Sequence, residues 1–467
     1  MHRIICTRLD SSGKKIWAQK IGGYNTIVCD IAIDRNNNLY AFGMWGGYLK
    51  FSDTAVGPYY KWESFIVKFN SHGKREWLKI DSSSFSNQSI AVDGNNNLII
   101  TKIDTISATS FYSLKIKKLS PNGNPIWNKA FSFPNQNTEI NIKFDSKNNI
   151  YLCGFFGDSL VIDNITYNNA MPNTYNSFLA KLNPSGNFDN VEIFPGAGVI
   201  DYNFDAQDNI YILGEYNMGG MQLRQYYIDS SCSYCDTKSF IAKLNTVGTC
   251  SWVHATNKYD FVNASVSKGG DMYISLLNGL TDSLLLDSTT ITLTDPSHKG
   301  TIYIMKFSSD GKPQWVLSNS ATNSASSYPY HIAYSESGLL WVSGMYSGSQ
   351  IWFGNDTLPY TCCDAPLFIA GMKENIAKIS SVQLYNENSF SIFPNPTFGK
   401  FQIQSLEKTS SLSIFNLYGE KIYSAVNFQI DTSLNFQIDI SIYPAGIYFL
   451  EMISEGKRKT EKIILEK

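Results

Sequence analysis

Short apolar runs separated by polar tips recur along most of this chain. Residues 31–34, 35–38 and 39–43 read as strand, tip and strand. The hairpin returns as IAVDGNNNLII from Ile90, IKFDSKNNIYLCG from Ile142, YNFDAQDNIYILG from Tyr202, SVSKGGDMYIS from Ser265 and IAYSESGLLWVSG from Ile332. A third strand follows with a period of two: Phe65, Val67 and Phe69 point one way and Ile66 and Lys68 the other, as Phe240, Ala242 and Leu244 repeat. Its end is marked by a basic residue, an apolar residue and Asn, Asp or Ser, with a glycine just beyond. Five times a tryptophan stands four residues after that glycine: Gly13 and Trp17, Gly73 and Trp77, Gly123 and Trp127, Gly248 and Trp252, Gly311 and Trp315. After Gly186 the same position holds Asn190.

Four short strands per unit result, with the glycine where the turn needs positive φ. A unit packed on both faces cannot bury itself alone, so the units stack, and a closed ring leaves no terminal face exposed. The pattern predicts an all-β chain built as a β-propeller. Counted from tryptophan strand through hairpin to third strand, six four-stranded blades are complete. Residues 4–10 are a seventh copy of the third strand, with Arg8 at the basic position of Lys68, Lys118, Lys181, Lys243, Lys306 and Lys373. The ring therefore closes with six blades and a spare strand, or is a truncated seven-bladed one whose start precedes this sequence. Asp34, Asp93, Asp145 and Asp205 stand 59, 52 and 60 residues apart, beyond the roughly 40 to 50 of common propeller repeats. Residues 159–167, 284–293 and 350–358 carry the excess and read as accessory hairpins on one face.

The runs SFIVKFNSHGKREW from Ser64 and SFIAKLNTVGTCSW from Ser239 resemble the seven-bladed propeller repeats of secreted bacterial proteins, a resemblance that spans residues 1–373. It implies a fold and no activity. From residue 389 the composition changes. FSIFPNPTFGKFQI, LSIFNLYGEKIY and YPAGIYFLEM mark the turns and hairpins of a small β-sandwich over residues 389–467, with 374–388 as linker. In order, these runs resemble the signatures of the type A C-terminal sorting domain of the type IX secretion system. The first holds Pro394, Asn395, Pro396, Thr397 and Gly399, the second Asn416 and Gly419, and the third Pro444, Gly446, Ile447 and Tyr448. The resemblance implies an export signal read by an outer-membrane translocon and its sorting machinery. It also implies a protein that is secreted or attached at the outer-membrane surface, with the domain commonly cleaved on attachment. Such cargo first crosses the inner membrane on a signal peptide, and the first twenty residues lack that apolar stretch.

Charge narrows the partners. Lys plus Arg is 38 and Asp plus Glu 40, a net charge of −2, which gives no long-range attraction for nucleic acid. An aromatic content of 14% argues against disorder. No apolar run approaches the roughly 18 residues of a transmembrane span.

Candidate chemistry is sparse. Asp34, Asn36 and Asn38, and Asp93, Asn95 and Asn97, match the first half of a calcium loop. Leu39 and Leu98 stand where its glycine belongs and no glutamate closes it, so the ligands fall short of the six or so oxygens calcium takes. Asx side chains bonding a hairpin tip are the expected reading, with no cofactor, and calcium the lesser one. Cys235 and Cys363 each stand five residues before a third-strand phenylalanine, with Cys232 and Cys362 beside them. These four are disulfide candidates; a metal or redox site would need thiolates from two non-adjacent blades to converge. A bond between Cys362 and Cys363 would be strained, since adjacent Cα atoms are about 3.8 Å apart. Cys153 reads as a small buried apolar group. The third-strand lysines could ring an anionic glycan, but stems laid on apolar surface and paired with nearby aspartates are expected. The tryptophans read as blade core; Tyr59, Tyr60, Tyr226, Tyr227 and Trp352, in the loops, are the better binding candidates. His2, His72, His254, His298 and His331 share no repeat position, and neither a histidine metal spacing nor a serine nucleophile elbow occurs.

The expectation is a secreted or cell-surface propeller that binds a glycan or protein, as adhesin or scaffold, and is exported through its C-terminal domain. The alternative is an extracellular polysaccharide-degrading enzyme with carboxylates on the central channel.

Overall fold

The structure, a computed structural model, describes residues 3–467 apart from 24, 52–54, 82–87, 106–111, 134–139, 158, 163–164, 169–175, 217–218, 229–237, 247–248, 257–260, 278–282, 287–288, 293–301, 319, 322–325, 348–350, 354–355, 359–366, 374–383, 387–389, 394, 406–408, 418, 427–435 and 455–456. Every regular element among the described residues is a β-strand. The chain divides into two compact units, Met1–Asp282 with Leu293–Val382, and Ser283–Thr292 with Gln383–Lys467.

The first unit is a series of antiparallel sheets whose strands follow chain order. The first sheet holds Thr26–Ile33, Leu39–Lys50, Ala55–Phe69 and Arg75–Asp81, and the second Gln88–Val92, Leu98–Thr105, Tyr112–Leu119 and Pro125–Phe133. The third holds Asn141–Phe144, Ile150–Phe156, Asn176–Leu182 and Phe188–Phe194, and the fourth Ala197–Phe204, Ile210–Tyr216, Lys238–Leu244 and Cys250–Ala255. The fifth holds Phe261–Val266, Met272–Leu277, Ile302–Phe307 and Pro313–Ser318; the sixth has three strands, Ser326–Ser335, Leu339–Ser347 and Leu367–Lys373. An N-terminal hairpin, Arg3–Leu9 with Lys15–Gly23, joins the first sheet where Gly22 and Gly23 pair with Lys50 and Leu49. The opening strands of successive sheets are neighbours from the first sheet to the sixth.

The tryptophan strand ends its own sheet and does not open the next, so the sheets are phased differently from the sequence count. The turn before it decides this. Gly13 N–H donates to Asp10 O at 3.0 Å and Asp10 N–H to Lys14 O at 2.9 Å, and residues 70–74, 120–124, 183–187 and 308–312 close in the same way. A turn this short can join only antiparallel neighbours.

The tryptophans nevertheless reach beyond their own sheets. Trp17 Nε1 donates to Ser71 O at 3.0 Å, Trp77 to Pro121 O at 3.2 Å, Trp127 to Pro184 O at 3.3 Å and Trp252 to Ser309 O at 3.2 Å, each acceptor in the corresponding turn of the next sheet. A Cβ on Gly73, Gly186 or Gly311 would come within 2.7, 2.9 or 2.8 Å of Trp17, Trp127 or Trp252. At Trp17, Trp127 and Trp252 the repeated glycine and tryptophan are therefore partners between sheets, while Trp315 is buried in a core cluster with residues of the fifth and sixth sheets. Where Asn190 interrupts the series, Arg224 takes over. It lies between the accessory strands Met221–Leu223 and Tyr226–Ile228, donates to Asn245 O at 3.2 Å and Thr249 O at 3.1 Å, and pairs with Glu192 on the strand that holds Asn190.

A second recurrent pair fills the space between sheets. Gly43 stands opposite Phe65, Gly154 opposite Phe178, Gly214 opposite Phe240 and Gly344 opposite Phe368. A Cβ on Gly43, Gly214 or Gly344 would come within 2.8, 2.5 or 2.8 Å of the facing ring. Each ring is buried against the preceding sheet or hairpin, as Phe178, Ala180 and Leu152 are against Ile99, Ile103, Leu114 and Ile116. Of the expected accessory hairpins, Ser159–Ile162 with Ile165–Asn168 and Ile351–Phe353 with Asp356–Leu358 are present. Ser283–Leu286 with Thr289–Thr292 forms too, but in the second unit, where it pairs with Leu384–Asn386.

The rest of the second unit is two sheets. Phe390–Phe393, Lys400–Ser405 and Phe436–Asp439 form one; Lys421–Val426, Thr409–Asn416, Gly446–Ser454 and Lys457–Leu465 form the other. Alternating residues of both, among them Phe401, Ile403, Ile414, Ile438, Leu450 and Ile463, make one core.

Candidate functional site: the C-terminal motif loops

Three loops of the second unit meet at one end of its sandwich. Lys400 is opposite Asp439, Asn416 opposite Tyr448 and Gly446 opposite Leu465, so residues 395–399, 417 with 419–420, and 440–445 all leave the strands there. The first loop is stitched to the last strand. Asn395 Nδ2 donates to Lys462 O at 2.6 Å and its Oδ1 accepts from Ile464 N–H at 2.8 Å. Thr397 N–H donates to Ile464 O and its carbonyl accepts from Glu466 N–H, both at 2.8 Å, while its buried hydroxyl donates to Lys400 O at 2.8 Å. Gly399, at φ +119°, has no room for a side chain: a Cβ would lie 2.4 Å from Ser441 Cβ.

In the second loop Asn416 Oδ1 accepts from Glu420 N–H at 3.0 Å, its Nδ2 donates to Glu420 Oε2 at 2.7 Å, and Gly419 supplies φ +79°. In the third, the buried Tyr448 donates its hydroxyl to Pro444 O at 2.7 Å, and Tyr443 ties the loop to the second sheet through Ile422 O at 2.8 Å. These motif residues thus form the loops. Two features of the same end serve no fold. Phe398, Leu417 and Ile442, one from each loop, are 77%, 63% and 82% exposed. A Cβ added to Gly446 would meet nothing within 4 Å, and that glycine lacks positive φ. Pro394 and the cysteines Cys232, Cys235, Cys362 and Cys363 lie outside the described residues.

Elsewhere the repeat's polar residues satisfy one another. Asp34 Oδ1 accepts from the N–H groups of Asn36 and Asn38, and Oδ2 from Asn38 Nδ2 and the Tyr40 hydroxyl. Asp93, Asp145 and Asp205 bind their tips alike. The tips are also linked in series: Arg35, Gly94 and Ser146 N–H donate to the side chains of Asn96, Asn148 and Asp208, left-handed residues of the following tips. Among the described residues no three His, Cys, Asp or Glu groups are placed to hold a metal ion.

The third-strand lysines are paired: Lys68 with Glu76 at 2.8 Å, Lys118 with Asp93 at 2.9 Å, Lys181 with Asp189 at 3.3 Å and Lys306 with Asp271 at 2.8 Å. Lys68, Lys181, Lys243 and Lys306 also lie over Tyr40, Tyr151, Tyr211 and Tyr273. Cys153 is buried, which pushes its thiol pKa well up. Tyr226 and Tyr227 are exposed; the side chains of Tyr59, Tyr60 and Trp352 lie outside the described residues. His254 stacks on Trp252 and Phe307. Among the described residues no helix is long and apolar enough to cross a membrane.

Comparison with known proteins bears on the second unit. Residues 391–466 match the family of the secretion system C-terminal sorting domain. The chain therefore carries a sorting domain of type IX secretion, which directs export to the cell surface or the extracellular space and implies contact with that machinery. No curated protein matches the chain. Solved structures give distant likenesses. An acylaminoacyl peptidase of Pyrococcus horikoshii is 9% identical with a TM-score of 0.34, covering 82% of this chain and 59% of the peptidase. This chain thus spans under two thirds of that enzyme. An apocarotenoid oxygenase variant of Synechocystis is 12% identical with a TM-score of 0.36, covering 74% of this chain and 76% of the other. A eukaryotic initiation factor is 9% identical with a TM-score of 0.31, covering 79% and 88%. These scores carry no functional argument.

Proposed function

We propose that the chain is an exported binding or scaffold protein, a propeller-like ring displayed on or released from the cell and delivered by its C-terminal unit. The match of residues 391–466 to a sorting domain carries this reading. Two placements support closure of the first unit into a ring. The turn residues Ser11, Ser12 and Gly13 of the N-terminal hairpin share a cavity of ≈260 Å³ with Trp341, Phe368 and Met372 of the sixth sheet. Asp30, on the opening strand of the first sheet, has its carboxyl pKa pushed up by burial, an effect opposed by bonds from Ile90, Ser89 and Ile31 and by the charge of His331 on the opening strand of the sixth. On this reading the hairpin fills the gap between first and sixth sheets as a two-stranded seventh sector.

The sorting machinery reads the loop end of the second unit through Phe398, Leu417, Ile442 and the bare backbone of Gly446. Exposed apolar groups that pack nothing, beside a glycine no neighbour requires, suit a surface that another protein covers. Secretion assays on cells test this. Removing residues 383–467 should leave the chain inside the cell envelope. Gly446→Ala and the triple change of Phe398, Leu417 and Ile442 to Ser should cut export several-fold with an unchanged melting temperature. Undiminished export of the truncated chain would refute the reading.

A further inference from the structure

The two sides of the seam that follows the sixth sheet are bare at positions every other seam covers. On the third strands Ile66, Ile116, Leu179 and Ile304 are buried with residues of the following sheet. Ile369, in the same place beside Phe368, is 58% exposed, and Leu367 on the same face 75%. On the opening strands Ile90, Ile142, Tyr202 and Ile332 are buried with residues of the preceding sheet; Ile31 of the first sheet, in the same place, is 53% exposed. Ile5 of the hairpin stands where Phe65, Phe178 and Phe240 are buried, and it is 57% exposed. Among the described residues Leu367–Lys373 pairs only with Leu339–Ser347. The sixth sheet thus shows the edge to which its neighbours add a tryptophan strand.

The joint beyond that edge is also unfilled. A Cβ on Gly13 of the hairpin turn would meet nothing within 4 Å, unlike those on Gly73, Gly186 and Gly311. Ser11 carries the carbonyl that corresponds to Ser71 O, the acceptor of the Trp17 indole. Ser11, Ser12 and Gly13 border the ≈260 Å³ cavity that reaches Trp341, Phe368 and Met372. That is below the about 300 to 1,000 Å³ of small-ligand sites and suits one side chain of a bound segment. Its floor is adapted to a ring. Gly371, not Lys373, takes the place of the third-strand lysine, and Trp341 opposite it that of the tyrosine. A Cβ on Gly371 would come within 2.7 Å of the Trp341 ring. In the first, fourth and fifth sheets the fourth-strand indole lies 5.9 to 6.0 Å from that tyrosine. Edge strands are ordinarily guarded by charge, proline or a bulge. Residues 367–372, LFIAGM, hold neither charge nor proline, and their ladder runs without a register shift.

We propose that Leu367–Lys373 and this cavity bind a tryptophan-bearing β-strand supplied by another protein, which adds to the sixth sheet with its indole opposite Gly371 and against Gly13. The occupied joints define this ligand: Trp77 lies opposite Lys68 and Trp252 opposite Lys243, each on an antiparallel edge strand. The chain does not supply it, because residues 374–467 hold no tryptophan and the repeat's own indoles are strands of their own sheets. The proposal rests on the binding reading above, of which it names the partner. Calorimetric titration of the full chain with a synthetic peptide of residues 311–318, GKPQWVLS, tests it. The peptide should bind, and its Trp315→Ala form should bind about tenfold more weakly, as loss of an anchoring aromatic costs. Amide exchange of residues 367–373 should slow on binding. Ile369→Asp, at an exposed position, should melt with the unaltered chain and lose about tenfold in affinity; Leu367→Asp serves if that variant does not fold. No binding at millimolar peptide, equal affinity for the alanine form, or unchanged exchange at 367–373 would overturn the proposal. So would a dimer of the chain that Ile369→Asp dissociates, since the edge would then take a second copy. Secretion is scored separately on cells, so a purified chain that binds but is not exported sinks the export reading and leaves the strand site standing.

Discussion

Two seams of the first unit are built on the same plan and filled differently. Between the second and third sheets Phe178 lies over Gly154 and packs on Ile116 and Leu114; between the first and second, the corresponding positions are Lys115 and Lys102. The first seam is closed by shape; the second holds a cavity of ≈430 Å³ lined in part by lysines and Asp81. Because neighbouring sheets hold each other also through tryptophan latches and tip bonds, one seam can give up its central ring and keep its register. A repeat architecture thus tolerates a local suspension of its packing rule.

The largest expected effect is at the closed seam. Phe178→Ala should cost about 3 to 5 kcal/mol, as other buried aromatic truncations do, whereas Lys115→Ala should fall within about 0.5 kcal/mol of the unaltered chain, as changes outside a packed core do. Denaturant melts of both variants measure the difference, and equal losses would erase the distinction. Next is Gly214→Ala, whose Cβ would lie 2.5 Å from Phe240 and 2.6 Å from Gly198 O; overpacking of that kind costs about 1 to 3 kcal/mol. Lys102→Ala, facing the cavity, should cost less, and thermal melts rank the two. Arg224→Ala follows, at about 1 to 3 kcal/mol for lost bonds of a charged donor, and would show whether a guanidinium equals a tryptophan as a latch.

The smallest effect separates the repeat's own lysine from the extra ones. Burial raises the Asp93 carboxyl pKa, but the bonds from Lys118 and Asn97 outweigh it and hold the group below the usual carboxylate range. A depressed folded value adds stability above the unfolded pKa of about 3.9, and that stability is lost as the pH falls through the folded value. Lys118→Met should flatten this acid loss in melting temperature against pH. Lys115→Met and Lys117→Met should leave it as it is.

Much of this was legible in the residues. The tips from Asp34 to Asn38, the alternation of Phe65, Val67 and Phe69, and the glycine turns are all local patterns, and each formed as its spacing dictates. Partnerships were not legible, because Trp17 meets Ser71 and Trp127 meets Pro184 at separations of 54 and 57 residues. For the same reason the bonds that Trp17, Trp77, Trp127 and Trp252 make to the next turn leave no local signal, and neither does Arg224 standing in for the missing indole. The accessory strands Met221–Leu223 and Tyr226–Ile228 leave a signal only in the alternation of Met221 and Leu223 about Gln222. The lysine cavity had a signal: Lys115, Lys117 and Lys102 fall where the other copies carry Phe65, Val67 and Gly43. It shows only when copies are compared position by position. In the C-terminal unit, turn chemistry pointed to the loops around Asn416 and Gly419, while the stitching of Thr397 to Ile464 needed the fold.

The tryptophan latch also bears on how such a chain can change its copy number. The hairpin and the first, second and fourth sheets each carry one plug, an indole, and one socket, a glycine turn. Duplicating a unit inserts a plug and a socket together, and deleting one removes both, so neither event strands an indole or an empty turn. Nothing in the unit itself counts its siblings. The joint therefore places no limit of its own on how many sheets the series can hold.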